Sequence, residues 1–361
     1  MASGYGVMMS WPGDPESLLA GPRGRRLCWV LAEEMGRPGF GPAWEQVWSY
    51  SRGADPVELA SELAAAVTRA DWHFALAGMS EVALVGPLAE SVTVAMYWQG
   101  PDAVDQALAH PQVAGELRPV AHAIISAPGT QWWPTGIDAG TQQYVESPYG
   151  PDGRPAWAGA AGQLMTWLAA TEEEERSAAG RPADPAAPYS GHWWSSPTWS
   201  GLVSTTRALP GLGPLQLYAM EDWPGWEDVR CWPVAVSHRA ARIYEITSPD
   251  DWTALVTRYP LEVTKSRRHD WWQVTGWAGA WLMPDYTAAA ADYDAIHLTV
   301  SGYLTTAGRA LAVNDARCLL AGWDPDETYW LADCVAGGGA PVRWIRDDSA
   351  HLGWRQAGPG L

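Results

Sequence analysis

Apolar residues recur along this chain with two different periods, and the change between them falls near the middle. In the first half the spacing is helical. Over residues 23–35, Leu27, Val30, Leu31 and Met35 return at helical spacing, and Gly36 supplies a stop. From Asp55 the run DPVELASELAAAVTRA combines an aspartate cap with proline at the first helical position, and turns Val57, Leu59, Leu63 and Val67 toward one side. Further helices are predicted over 81–98, 104–110, 112–126 and 156–179. The last ends in four consecutive glutamates, Glu172 to Glu175, which read as a solvated helix end rather than a cation site. Residues 180–190 hold three prolines and read as a linker or long loop.

Beyond that segment the apolar runs become short or alternating and are bounded by Gly, Pro and Asp. Strands are predicted over 202–209, 215–220, 231–237, 242–247, 293–300, 309–313, 317–323, 328–332 and 342–345. Helical turns interrupt them at 248–258, where Ser-Pro-Asp-Asp has the form of an amino-terminal cap, and at 285–291. No repeat of fixed period is present. The pattern predicts an α+β chain, with a mainly helical domain over 1–180, a linker over 181–190 and a Trp-rich domain over 191–361. The last is expected to be a mainly antiparallel sheet or open barrel with short helices.

Composition narrows the function classes. The chain has 361 residues, long enough for two cores or one core with a large appendage. Its formal charge of −18 leaves no basic surface for a phosphate backbone, so nucleic acid is not an expected partner. Residues 1–11 lack the basic and apolar segments of a secretory leader, and the charge-free stretch 119–137 is interrupted by three prolines. No membrane association is expected, and a cytoplasmic location follows by default. Cys28, Cys231, Cys318 and Cys334 have no metal-ligand spacing and read as buried thiols, so no metal site is expected. Twenty-five Trp against two Phe is the loudest compositional signal, and it implies that indoles have taken over ordinary core positions.

Three strand segments carry candidate chemistry. In Tyr293-Asp-Ala-Ile-His-Leu-Thr-Val-Ser-Gly-Tyr303, strand parity puts His297 on the face opposite Ile296 and Leu298, where an imidazole could line a pocket and exchange protons near neutral pH, or serve as a hydrogen-bonded core residue. Asp294 would point away from it. In Arg242-Ile-Tyr-Glu-Ile-Thr247, Glu245 lies between two isoleucines; on a central strand it must be paired or shifted in pKa, and on an edge strand it is solvated. In Trp323-Asp-Pro-Asp-Glu-Thr-Tyr-Trp330, Pro325 fits a type I turn in a hairpin-type connection, which makes Asp324 and Asp326 turn residues and Glu327 the acid of interest.

These residues predict a site in which His297 is the acid–base group and Glu245 or Glu327 its partner. Arg242 or Arg309 would anchor a substrate anion. Trp193, Trp194, Trp271, Trp272 and Trp323, with Tyr303, would supply aromatic walls. The function expected from them is an enzyme converting a small substrate, with group transfer on a nucleotide-like or other aromatic or anionic molecule as one form. The alternative is a non-catalytic module that holds a sugar, peptide or protein on exposed indoles, and a homo-oligomer assembled through the helical half is a third reading. No phosphate loop, dinucleotide fingerprint, metalloprotease helix or nucleophile elbow is present, and the sequence leaves any cofactor unidentified.

Overall fold

A capping side chain starts most of the described helices, and a proline opens several of them. The computed structural model describes residues 14–36, 55–67, 71–146, 156–237 and 241–358; residues 1–11 and the last residues of the Asp55 run lie outside them. The first half forms α1 (Pro15–Ala20), α2 (Pro22–Gly36), α3 (Pro56–Ala66), α4 (Trp72–Ala77), α5 (Glu81–Thr93), α6 (Ala103–Leu108), α7 (Pro111–Ser126) and α8 (Ala160–Ser177). Asp14, Asp55, Asp71, Ser80 and Asp102 each accept a backbone N–H from the first turn of the helix they precede, which satisfies donors the helix cannot pair internally. The predicted helix over 81–98 stops at Thr93. There the chain turns inward, Ala95 gives its carbonyl to the Asp222 N–H at 3.1 Å, and Tyr97 is buried.

The strands are β1 (Gln142–Val145), β2 (Ser204–Leu209), β3 (Gly213–Pro214), β4 (Asp228–Val236), β5 (Ile243–Ile246), β6 (Pro260–Glu262), β7 (Trp281–Pro284), β8 (Ala295–Leu298), β9 (Leu311–Val313), β10 (Ala316–Cys318), β11 (Glu327–Trp330), β12 (Val335–Gly337), β13 (Val342–Arg346) and β14 (Trp354–Gln356). Among them lie α9 (Pro249–Arg258), α10 (Thr264–Thr275), α11 (Tyr286–Ala289) and α12 (Val300–Thr306). The main sheet runs β14-β13-β4-β1-β2-β11-β8-β5, with β12 and β3 attached to β4 and β2; all its pairs are antiparallel except β5 with β8. A second sheet, β6-β7-β10-β9, contains one parallel pair, β7 with β10. The chain is thus α+β, with helices first and strands later.

Several predicted elements differ in kind. Residues 215–220 form a 3-10 turn at Leu215–Leu217 instead of a strand, because Leu215 and Leu217 are both buried while Gln216 turns to the Asp324 carboxylate. The strand predicted over 293–300 ends at Leu298, where Thr299 accepts the Gly302 N–H at 3.0 Å and starts α12. No hairpin joins 317–323 to 328–332, since β10 belongs to the second sheet while β11 lies between β2 and β8 of the first. The helix α10 and the strand β1, which lies within the predicted helical domain, went unpredicted. In α10 the buried side is largely polar, with Ser266, Arg267, His269 and Asp270 beside Trp271, so no apolar stripe marks it. Residues 181–190 are tied down on α10 through Arg181 to the Ser266 carbonyl at 2.9 Å and Ser190 to Asp270 at 2.7 Å.

One apolar cluster runs from Leu18 to Trp354 and joins the helices to both sheets. Trp133, Trp252, Trp271, Trp281, Trp323 and Trp330 are fully buried in the protein interior, while Phe74 is exposed. The helices meet the strand-rich half along α12, where two glycines allow backbone to touch backbone. A Cβ on Gly21, between α1 and α2, would overlap the Leu304 carbonyl oxygen, and one on Gly302 would overlap the Ile246 carbonyl oxygen of β5. Carbonyls of a helix and a strand cannot step aside as a side chain can. Gly21→Ala and Gly302→Ala are therefore each expected to lower the free energy of urea unfolding by about 1–3 kcal/mol. Gly162→Ala on α8, where a Cβ would meet nothing, should hold or raise it.

Candidate functional site

The parallel register of β5 and β8 sets Glu245 directly beside His297. The Glu245 carboxylate lies 2.5 Å from the His297 Nδ1, and its other oxygen accepts the Ile137 N–H at 3.1 Å. On the far side of the ring, Nε2 lies 3.4 Å from the Asp326 carboxylate. Asp326 in turn accepts the Arg207 backbone N–H at 2.8 Å and its Nε at 3.3 Å, and the Arg207 guanidinium rests 4.8 Å from the Trp132 ring centre. Carboxylate, imidazole, carboxylate and guanidinium thus alternate in a line across β5, β8, the turn before β11 and β2. Burial alone would lower the His297 pKa, but hydrogen bonding and charge from Asp326 and Glu245 outweigh it and raise the ring to about 9. The imidazole has no exposure; of the two acids flanking it, Glu245 is partly exposed at 30% and Asp326 is buried.

A second polar group lies in the same core. Glu327 accepts the Asp324 N–H at 3.1 Å, Gln216 donates to Asp324 at 2.9 Å, and Asp324 accepts the Glu221 N–H at 2.9 Å. Burial raises all three carboxyls above their usual range, and the Asp324 charge pushes Glu327 and Glu221 further. The turn residues of the sequence thus carry more than turn chemistry. Asp326 does take the left-handed backbone of a turn, at φ 60°, but its carboxylate and that of Asp324 are buried and partnered.

A wide opening lies elsewhere, where α2, the 94–102 segment, the end of α10 and the strands β9 and β10 meet. It is a cleft of about 1170 Å³ lined by five arginines, Arg23, Arg25, Arg26, Arg309 and Arg317, against the three aspartates Asp102, Asp105 and Asp222. Helical geometry sorts the α2 arginines. Arg23 and Arg26, one turn apart, are buried and paired with Asp105 and Asp102, Arg26 Nη2 lying 3.0 Å from Asp102. Arg25 sits off that face and forms no ion pair among the described residues; it donates to the Leu19 and Ala20 carbonyls at 2.8 and 3.1 Å, and its Nε has no partner among them. Arg309 donates to the Thr305 carbonyl at 2.7 Å, and Arg317 to the Ala310 carbonyl at 3.3 Å while lying 4.1 Å from the Trp277 ring centre. Burial, with the charges of Arg23 and Arg309, holds the Arg25 pKa below its ordinary value despite Asp105, and burial lowers that of Arg309.

The sequence-predicted residues do not converge on one cavity. Arg309 lines the cleft, and His297 with Glu245 forms the buried line. Arg242 is exposed and paired with Asp294 at 2.9 Å. Trp323, whose Nε1 donates to the Glu327 carbonyl, and Tyr303 are fully buried, as is Trp271. Trp193 stacks on Trp194 with ring centres 5.2 Å apart, and Trp199, 75% exposed, meets Trp194 edge-on. Trp272 is half-buried on α10. Arg25 and Arg317, unremarked in the sequence, belong to the cleft. The available signal was the run Arg23-Gly-Arg-Arg26, which holds three of the nine arginines of the first 180 residues.

Among the described residues no helix is long and apolar enough to cross a membrane, and no group of three or more His, Cys, Asp and Glu is placed to hold a metal ion. Comparison with protein-family models, curated proteins and solved structures finds no significant match for this chain.

His297 and the Glu327 group hold protons in the folded chain that the unfolded chain releases at lower pH. Their contribution to stability is therefore complete below the unfolded pKa values and is lost as pH rises through the folded ones. Urea unfolding followed from pH 6.5 to 9 should show a falling free energy, with a share on the order of 3 kcal/mol from His297. His297→Gln should flatten that part of the profile, and a wild-type profile already flat would remove the charged imidazole from the folded state.

Proposed function

We propose that the chain binds a small organic anion in the arginine-lined cleft. The observation that carries the reading is that Arg25, Arg309 and Arg317 face this cleft with no carboxylate partner among the described residues, in a chain of net charge −18. Partly buried guanidiniums that repel one another are costly unless an anion meets them, and their planar forks suit carboxylate and phosphate oxygens. Trp98 lines the cleft with aromatic surface, and Trp277 lies against the Arg317 guanidinium. Titration calorimetry at low salt with inorganic phosphate and with citrate tests the reading. Arg25→Ala and Arg309→Ala should each weaken binding about tenfold or more, as loss of a charge-assisted contact does. Unchanged affinity in both variants would remove the cleft from the binding site.

A second reading, an acid–base enzyme, is favoured by the Glu245–His297–Asp326 line. With the imidazole sealed, the group able to meet a substrate is Glu245, and His297 would set its proton affinity from behind. The two readings separate in one experiment. If this line performs chemistry, Glu245→Gln and His297→Gln should abolish turnover of any substrate found while leaving anion binding in the cleft intact; turnover at the wild-type rate in both would restrict the line to structure.

A further inference from the structure

Away from the cleft and the buried line, two histidines stand edge to face on the surface of the helical half. His73 is on α4 and His122 on α7, and both are exposed. The Nε2 of His73 lies 2.9 Å from the Nδ1 of His122, with the ring planes at 78°. The helices fix this contact from below. Trp72 and Leu76 bury the inner side of α4, and Val120, Ala121, Ala123 and Ile124 that of α7, so both rings project from backbone already held in place.

A ring-to-ring hydrogen bond is the plain account of so short a contact, and it offers little. Either ring can be the donor, but the bond is open to water, where its net worth is small. It also needs one ring to stay an acceptor, since a proton on every nitrogen would set two cations face to face. A metal ion can use both lone pairs at once, and imidazole is the commonest protein ligand for such ions. Two nitrogens held by one ion at about 2.0–2.1 Å stand about 2.9 Å apart at a right angle and about 3.4 Å apart at the tetrahedral angle. The observed spacing is the right-angled one, which suits copper(II) or nickel(II) better than a tetrahedral zinc site.

Neighbouring charge does not oppose a cation here. Arg118, one turn before His122 on α7, is paired with Glu16 at 2.5 Å, and the chain as a whole carries −18. No group of three or more His, Cys, Asp and Glu forms a metal site among the described residues, so the remaining coordination positions are left to water or to a ligand from another molecule.

We infer that His73 and His122 form a two-histidine chelate for copper(II) or nickel(II), which ties α4 to α7 and keeps its other coordination positions open. The site is separate from the anion cleft and stands or falls without it.

Calorimetric titration of the full chain with copper(II), nickel(II) and zinc(II) chlorides, in a buffer that does not coordinate metal, tests it. One copper or nickel ion should bind per chain, above any weaker background from the other histidines. His73→Ala and His122→Ala should each weaken that site about tenfold or more. Both rings are exposed, so the variants should fold as the wild type does. Electron paramagnetic resonance of the one-to-one copper complex should show two coupled nitrogens in the wild type and one in either variant. The nickel-loaded wild type should unfold at a higher temperature, a gain lost in both variants, because an ion that binds the folded chain stabilises it by mass action. Equal affinity in the wild type and both variants, or a copper spectrum without the nitrogen pair, would overturn the inference and return the two rings to a hydrogen bond. Zinc bound more tightly than nickel would overturn the right-angled assignment.

Discussion

Two arginines of α2 are buried against two aspartates at the start of α6, and the arrangement of the cleft follows from that packing. A guanidinium moved out of water is tolerated only where carboxylates and carbonyls take its protons, so Arg23 and Arg26 lock the rotation of α2 about its own axis. With those two positions committed inward, Arg25 has no choice but to face the opening. Removing Asp105 would strand the buried Arg23 and leave Arg26 with Asp102 alone, a loss of about 3–5 kcal/mol for a broken buried pair, whereas a hydrophobic substitute for the whole quartet could fold as well. The quartet is thus better understood as fixing orientation than as adding stability.

The buried acids follow the opposite rule. Glu221, Asp324 and Glu327 have few cations near them and stay protonated further up the pH scale, whereas Asp326 and Glu245 sit beside His297 and, for Asp326, Arg207. One core therefore contains two solutions to the same problem, neutralising a carboxyl with a proton or with a neighbouring charge. The two meet at a single turn, since Asp324 belongs to the first group and Asp326 to the second.

Local chemistry was readable along the chain; pairing at a distance was not. Asp55 with Pro56 announced α3, and Ser248 with Pro249 announced α9, because a cap acts on residues within one turn. Parity placed Glu245 and His297 on strands, but nothing in either segment says that residues 52 positions apart lie in register on parallel neighbours. Glu245 also shows the limit of the central-or-edge alternative: β5 is the last strand of its sheet, yet this side chain is partnered by the imidazole beside it. Asp326 looked like a turn residue and is one, but turn propensity is blind to what its carboxylate touches. Arg25 could not be separated from Arg23 and Arg26 without knowing where α6 packs. Arg309 was legible as a candidate anchor because few cations exist to choose from.

The glycine contacts along α12 bear on how a guest would be received. With Gly21 pressed on one carbonyl and Gly302 on another, the seam has no slack for sliding or hinging. The slot between helices and strands is cut to a set width before anything enters it. For the anion proposed above, ordering would then be completed during folding rather than at the moment of encounter, and association would proceed as lock-and-key, without a slow closing step.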